Sequence, residues 1–134
     1  MNFQPKNFKY KKVHTRKIKF LNYKANKLAK GQFGLKALEH GFISAKQIES
    51  ARQAINRKIK RKGKIWIKIF PFFPVTKKPS EVRMGKGRGN IDFWTSKIKG
   101  GTILFEITGV TEKTAFNALK TGKAKLSLKT KIIK

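Results

Sequence analysis

The sequence predicts an α+β fold: two helices packed on a mainly antiparallel sheet, with a basic N-terminal arm and a long Gly/Pro-containing loop. Three observations predict it. A capped amphipathic helix follows Ile43, isoleucines alternate strictly just behind it, and two further alternating stretches meet at Gly100 and Gly101. Strand patterns thus follow one another without a helix at each step, which favours segregated helices over repeated strand-helix-strand units. No internal repeat or low-complexity linker divides the chain. The expected organisation is a basic arm over residues 1–30 and one domain over 31–134, which contains a loop at 71–92.

The arm comes first. Residues 1–38 hold eleven Lys or Arg and no acid, Glu39 being the first. Charge without a core does not fold alone, so extended pieces are expected around Phe8, Tyr10, Phe20 and Tyr23, with Lys11, Lys12 and Arg16 as binding cations. The stretch has no Ser and one Arg, unlike a mitochondrial transit peptide, which is usually rich in both. Gly34 to Ile43 alternates, with Leu35, Ala37 and Glu39 opposite Lys36, Leu38 and His40, and reads as a strand. His40 beside Gly41 suits a turn or a packing role better than a ligand, since no second ligand lies at metal spacing.

Ser44 and Gln47 form a capping-box pattern flanked by Ile43 and Ile48, so a helix starts there and is expected to stop at Gly63. At 100° per residue Ile48, Ala51, Ile55 and Ile59 share a stripe that reads as core, while Lys46, Arg57, Lys60 and Arg61 lie opposite. A basic face gathered on one side of a helix favours phosphate. Lys64 to Phe70 alternates, which turns Ile65, Ile67 and Ile69 toward the helix and leaves Trp66 outside, as protein packing more readily than as a base-stacking ring.

From Phe70 to Asp92 neither period is visible, and Pro71, Pro74 and Pro79 fall there. A structureless connection of about 20 residues in a compact domain is usually functional. Its centre reads Val82-Arg83-Met84-Gly85-Lys86-Gly87-Arg88-Gly89-Asn90. Gly85, Gly87 and Gly89 free the backbone for positive φ, while Arg83, Lys86 and Arg88 supply charge, so bare amides and cations can both approach phosphates. Phe93–Ile98 and Thr102–Thr108 then read as strands joined as a hairpin through Gly100 and Gly101. Thr111 suits a second N-cap, with Ala115, Phe116 and Leu119 as its apolar stripe and Gly122 as its stop, and Leu126 and Leu128 open a last basic strand.

The charge sets the function class. The 134 residues hold 34 Lys and Arg against 6 Asp and Glu, a formal net charge of +28, where solubility asks for only about 2 to 8. A polyanionic partner is implied. No stretch nears the roughly 20 apolar residues of a membrane span, so nucleic acid is favoured. Cysteine is absent, which excludes disulfides and thiolate zinc sites. With His14 and His40 the only histidines, no metal site and no cofactor is expected.

Catalytic readings fare poorly. The glycine run lacks the strand-turn-helix setting and the placed acid of a dinucleotide fingerprint, and Gly85-Lys86 is followed by Gly87 rather than the Ser or Thr of a phosphate loop. A metal-dependent nuclease would need clustered carboxylates. Only Glu81 and Asp92 flank the loop, and a local ion pair and a turn are the expected roles. An architectural DNA-binding protein, or another basic nucleic-acid-binding protein, remains the alternative on charge alone, although a long glycine-basic loop suits irregular folded RNA better.

Several segments resemble one family, the bacterial-type large-subunit ribosomal protein sixteen. They are Pro5-Lys6 with the basic run to His14, Gly34-Leu35-Lys36-Ala37, Gln47-Ile48-Glu49 with Ala51-Arg52, and Gly63-Lys64-Ile65-Trp66-Ile67 leading to Phe70-Pro71. Lys78-Pro79, Val82 to Gly87, and Leu104-Phe105-Glu106 with Gly109-Val110 complete the match. The resemblance implies no catalysis. It implies a structural constituent that binds large-subunit rRNA near the peptidyl-transferase region, helps position transfer RNA, and touches neighbouring ribosomal proteins. In it the loop Val82–Asn90 reaches toward the transfer-RNA acceptor end, which makes Arg83, Lys86 and Arg88 the leading site residues. Two places depart from the pattern: Phe72 and Phe73, where the family commonly has an acid and a base, and Lys17–Lys30. Lys outnumbers Arg 28 to 6, beside 14 Ile, 11 Phe and 7 Asn. This is the bias of an AT-rich coding genome, and with ribosomal context it points to an organelle. The resemblance begins at Pro5, which leaves no room for a targeting segment and implies synthesis inside the compartment. The mitochondrion is expected, ahead of a plastid or a bacterial cytoplasm.

Overall fold

The computed structural model describes residues 4–134, so the first three residues of the expected arm lie outside the described residues. In chain order the elements are β1 (Phe33–Ala37), β2 (Gly41–Ser44), α1 (Ala45–Lys58), β3 (Lys64–Ile67), β4 (Phe73–Lys77), β5 (Asn90–Ile98), β6 (Ile103–Thr108), α2 (Glu112–Lys123) and β7 (Thr130–Ile133). They form the expected α+β fold, with two helices, but the antiparallel strands divide into two sheets, ordered β3-β6-β1-β7 and β2-β5-β4.

Two expectations change for the same reason. The single strand over Gly34–Ile43 is two strands, and β5 and β6 are not a hairpin, because the chain switches sheets between 38 and 40 and again between 99 and 102. The two corners brace each other. Gly101 N donates to Ala37 O at 2.7 Å, and Gly100 N donates to His40 Nδ1 at 3.0 Å, so His40 has the turn role expected of it. Gly101 stands at φ 91°. A Gly-Gly pair serves a sharp corner as well as a hairpin, and only the tertiary pairing decides between them.

A third correction is β4, inside the stretch expected to be loop. Pro71 and Pro74 hid it. Pro74 lacks the amide that a central strand would need, but β4 is an edge strand, where proline is tolerated. The irregular loop is therefore only residues 78–89, the tip between β4 and β5.

The helices behave much as their patterns require. Ser44 Oγ accepts from Gln47 N at 3.3 Å, and Ser44 N donates to Gln47 Oε1 at 2.9 Å, which completes the capping box. Ile48, Ala51, Ile55 and Ile59 are all buried, with Ile65 and Ile67 packed against the same core and Ile69 inside it. However, α1 stops at Lys58 rather than Gly63, because Lys60 and Arg61 take left-handed backbone at φ 52° and 62°. In α2, Phe116 is exposed and the stripe runs through Ala115, Ala118, Leu119 and Gly122. Gly122 is no stop. It lies in the last turn of α2, where a Cβ would come within 2.6 Å of Ile55 Cγ1 on α1. Leu126 and Leu128 precede β7 and pack on the core from outside the strand. Among the described residues no helix is long and apolar enough to cross a membrane.

Candidate nucleic-acid interface

The loop of residues 78–89 is set up by its glycines and by one lysine. Gly85, Lys86 and Gly87 are successive positive-φ residues at 100°, 52° and 80°, a conformation that glycine adopts without steric cost. A Cβ on Gly85 or Gly87 would meet nothing within 4 Å, so their backbone is open to a partner. Gly89 differs from the expectation. It is not a positive-φ residue, and a Cβ there would overlap Lys77 O, so it is glycine to let the two limbs of the hairpin close. The Lys78 ammonium donates to Gly85 O across the loop. Arg83, Met84 and Lys86 project from the tip, fully or largely exposed.

Arg88 is turned the other way. Its guanidinium donates from Nη1 to Val13 O at 2.6 Å and meets His14 Nδ1 through Nη2 at 3.0 Å, while Lys12 Nζ donates to Arg88 O at 3.0 Å. These bonds span about 75 residues of chain and bring Lys12 of the arm beside the loop, with Lys11 next to it in sequence. Since neither partner is a carboxylate, Arg88 keeps its charge for an anion as well. Further along, Lys97 Nζ donates to the carbonyl of Arg16, and the Phe8 ring meets Trp94 edge-on at 5.0 Å.

The arm's far end is fastened by a carboxylate. Glu106 is completely buried on β6 and accepts from Ala29 N at 3.2 Å, Lys30 N at 2.8 Å and Gly31 N at 2.9 Å, with Lys68 Nζ 3.7 Å away. Burial alone would raise its pKa. The three amides and the ammonium outweigh that and hold it below the ordinary carboxylate range.

A second basic cluster closes the end of α1. Arg57, Lys60 and Arg61 line a concavity of about 410 Å³ with Gln53 and Asn56. Lys60 and Arg61 reach it from beyond the helix, on left-handed backbone, with Arg61 N donating to Asn56 O at 3.4 Å. Cations also complement the negative end of the helix dipole. Lys46, expected on the same face, sits at the opposite end of α1 and lines a different cavity beside Trp94.

Ion pairs among the described residues join Glu49 to Arg52 at 2.6 Å, Glu106 to Lys68, and Glu112 to Lys134 at 2.9 Å. None of Lys11, Lys12, Arg16, Arg57, Lys60, Arg61, Arg83, Lys86 and Arg88 has a carboxylate partner among the described residues. The expected ion pair at the loop base is not formed either: Glu81 is exposed, and Asp92 lies exposed within β5 rather than in a turn. Glu39 accepts from Lys129 N at 2.7 Å. Most carboxylates are thus structural, and a groove of about 710 Å³ between Val13 and the three-stranded sheet has no acid or histidine among the described residues that line it. Open cations in two groups suit phosphates.

The site residues therefore separate into an arm-and-loop group and a helix-end group. The fastening of the arm was missed from sequence. One signal for it existed: Glu106 is a lone acid within Leu104-Phe105-Glu106-Ile107, and a carboxylate in a buried strand must find donors.

Residues 5–133 match the family described as Ribosomal protein L16p/L10e. Three relatives carry the name large ribosomal subunit protein uL16. The protein from Stenotrophomonas maltophilia strain R551-3 is 48% identical over 130 residues, and the one from Allorhizobium ampelinum 51%. The one from Sinorhizobium medicae is 50% identical. Each alignment covers 97% of this chain and 95% of the relative.

Proposed function

The chain belongs to the Ribosomal protein L16p/L10e family, and we propose that it is a structural, non-enzymatic constituent of the large ribosomal subunit which binds large-subunit rRNA and helps position transfer RNA near the peptidyl-transferase region. Family membership sets aside the alternative of an architectural DNA-binding protein outside the ribosome. Ribosomal RNA and neighbouring ribosomal proteins are its partners. For the finer part, the observation that carries the reading is the loop of residues 78–89. Arg83 and Lys86 stand exposed on a backbone whose Gly85 and Gly87 leave open space, so both charge and bare amides can reach a phosphate. Arg88 ties that loop to Lys12 and the arm. The cluster of Arg57, Lys60 and Arg61 is a separate hold on rRNA. The domain layout proposed with it is a basic RNA-binding arm over residues 1–30 on a single rRNA-binding domain over 31–134.

A mitochondrial ribosome is proposed as the location, ahead of a plastid or bacterial one. Its support is the composition, 28 Lys to 6 Arg with 14 Ile, while the relatives compared are bacterial.

Reconstituted large subunits test the assignment. Arg57→Ala/Lys60→Ala/Arg61→Ala should weaken rRNA binding and flatten its logarithmic salt dependence by about 0.7 for each phosphate no longer neutralised. Arg83→Ala/Lys86→Ala should incorporate normally, since both side chains are exposed, yet bind acceptor-end transfer RNA less well. Full incorporation with normal transfer-RNA binding and translation would make the loop a passive connector.

A further inference from the structure

The segment Ile69-Phe70-Pro71-Phe72-Phe73-Pro74 places three phenylalanines among two prolines, and they meet different fates. Phe73 enters β4 and is 7% exposed, whereas Phe70 and Phe72 remain 47% and 53% exposed. Pro71 fixes its own φ and restricts Phe70 before it. Phe72 N donates to Phe70 O at 3.1 Å, which closes a tight turn between the two aromatic residues. The rings are therefore held out on a stiff backbone, and covering them costs little further ordering.

Both rings line one concavity of about 370 Å³, whose lining also includes Lys68, Lys97 and Lys99 and, among the described residues, no acid. Lys68 leans toward the buried Glu106, Lys97 is bonded to a neutral carbonyl, and Lys99 is exposed. We propose that Phe70 and Phe72, with these three lysines, form a stacking site for one unpaired RNA nucleotide: the base lies against a ring face and its flanking phosphates face the ammonium groups. The inference rests on the RNA-binding reading above and adds a site to it. A protein occupant fits less well, because its apolar surface would have to desolvate clustered lysines, a residue type depleted at protein interfaces. Aromatic rings interleaved with cations are what single-stranded nucleic acid exploits, and removing one such ring lowers affinity roughly 5- to 150-fold.

The test uses the full chain with a short oligoadenylate carrying 2-aminopurine and a duplex RNA of equal length. Phe72→Leu, which keeps the apolar bulk and loses the π face, should relieve the fluorescence quenching and weaken single-strand binding at least about fivefold. Duplex binding and the salt dependence should stay as in the unaltered protein, and Phe72→Trp should retain both quenching and affinity. Lys99→Ala should instead weaken both RNAs and flatten the salt dependence. Equal effects of Phe72→Leu on the two RNAs, or none, would overturn the stacking site. So would a photo-crosslinking residue at position 72 that attaches to a protein instead of rRNA in assembled subunits. If the unaltered chain bound neither RNA, the RNA-binding reading itself would fail, which separates the two.

Discussion

Replacing Glu106 by Gln is the sharpest probe of how the arm is held. The carboxylate is completely buried and accepts three backbone amides at 2.8, 2.9 and 3.2 Å. A buried donor left without its acceptor costs about 1–3 kcal/mol, so three would set a ceiling near 9 kcal/mol. That ceiling is not reached, for three reasons. The Gln carbonyl still accepts from one or two amides, the desolvation cost of a buried charge disappears, and Ala29 and Lys30 are exposed enough for water to reach their amides. About 2 kcal/mol is the expected loss for Glu106→Gln and roughly 3–4 kcal/mol for Glu106→Ala. In a chain of this size 1 kcal/mol moves Tm by about 4 °C, so the Gln variant should melt roughly 8 °C lower. Hydrogen exchange should quicken first at residues 29–31.

The pH dependence supplies the sign. The folded-state pKa of Glu106 is depressed, so its contribution is complete above the unfolded value of about 4.3 and is lost as pH falls through the lower folded value. The difference between the unaltered protein and Glu106→Gln should be constant near neutrality and shrink in acid. A Gln variant within about 0.5 kcal/mol of the unaltered protein at neutral pH, the range of an ordinary surface change, would refute the cage, as would unchanged exchange at residues 29–31.

Two glycine positions in the loop and one in α2 carry the remaining expectations. Gly89→Ala drives a Cβ into a backbone oxygen of Lys77 that cannot swing aside, so it should cost more than about 2 kcal/mol and open the β4–β5 tip. Gly87→Ala meets open space at φ 80° and should cost only about 1–2 kcal/mol of backbone strain; urea unfolding ranks the two. Gly122→Val drives a side chain into Ile55, 2.6 Å from its Cγ1, and should cost about 1–3 kcal/mol. Because the two residues touch, its effect should be non-additive with Ile55→Val in a double-mutant cycle.

What could be read from the sequence was whatever a local pattern determines. The cap at Ser44, the stripe from Ile48 to Ile59 and the alternation at Ile65 and Ile67 each depend on neighbours a few residues away, and each is present. The assignment of β5 and β6 to different sheets depends on Ala37 and His40, some sixty residues earlier, and no window of sequence holds that information. Pro74 misled for a related reason: its effect on a strand reverses between centre and edge, and edge status is a tertiary fact. In the site, the open cations Arg83 and Lys86 were legible because exposure follows from charge. Arg88 is exposed as well, but its bonds to Val13 and His14 were not legible, since Arg83, Lys86 and Arg88 are chemically similar in the chain and only the folded arm distinguishes the last of them.

The fastenings at Glu106 and Arg88 explain how so basic a chain can prepare for its partner. The arm is bonded to the body at Ala29–Gly31 through Glu106 and at Lys12–His14 through Arg88 and Lys12. The residues between the two ties include Arg16, Lys17, Lys19, Lys24 and Lys27. Asn22 N also donates to Gly100 O at 2.9 Å, and Ile103 N donates to Ala25 O at 3.1 Å. Each bond restricts a segment whose Tyr10, Phe20, Leu21 and Tyr23 stay exposed, so polar ties hold much of the arm where a core would normally serve. Ordering a loop or side chain on binding subtracts from affinity, and an arm already laid along the body loses less. The fastening also uses few of the chain's charges. Glu106 takes backbone amides from the arm and leaves its lysines free, and Arg88 takes a carbonyl and an imidazole. The cations that hold the arm or hang from it therefore remain available to phosphate, which is the arrangement a ribosomal protein of net charge +28 requires.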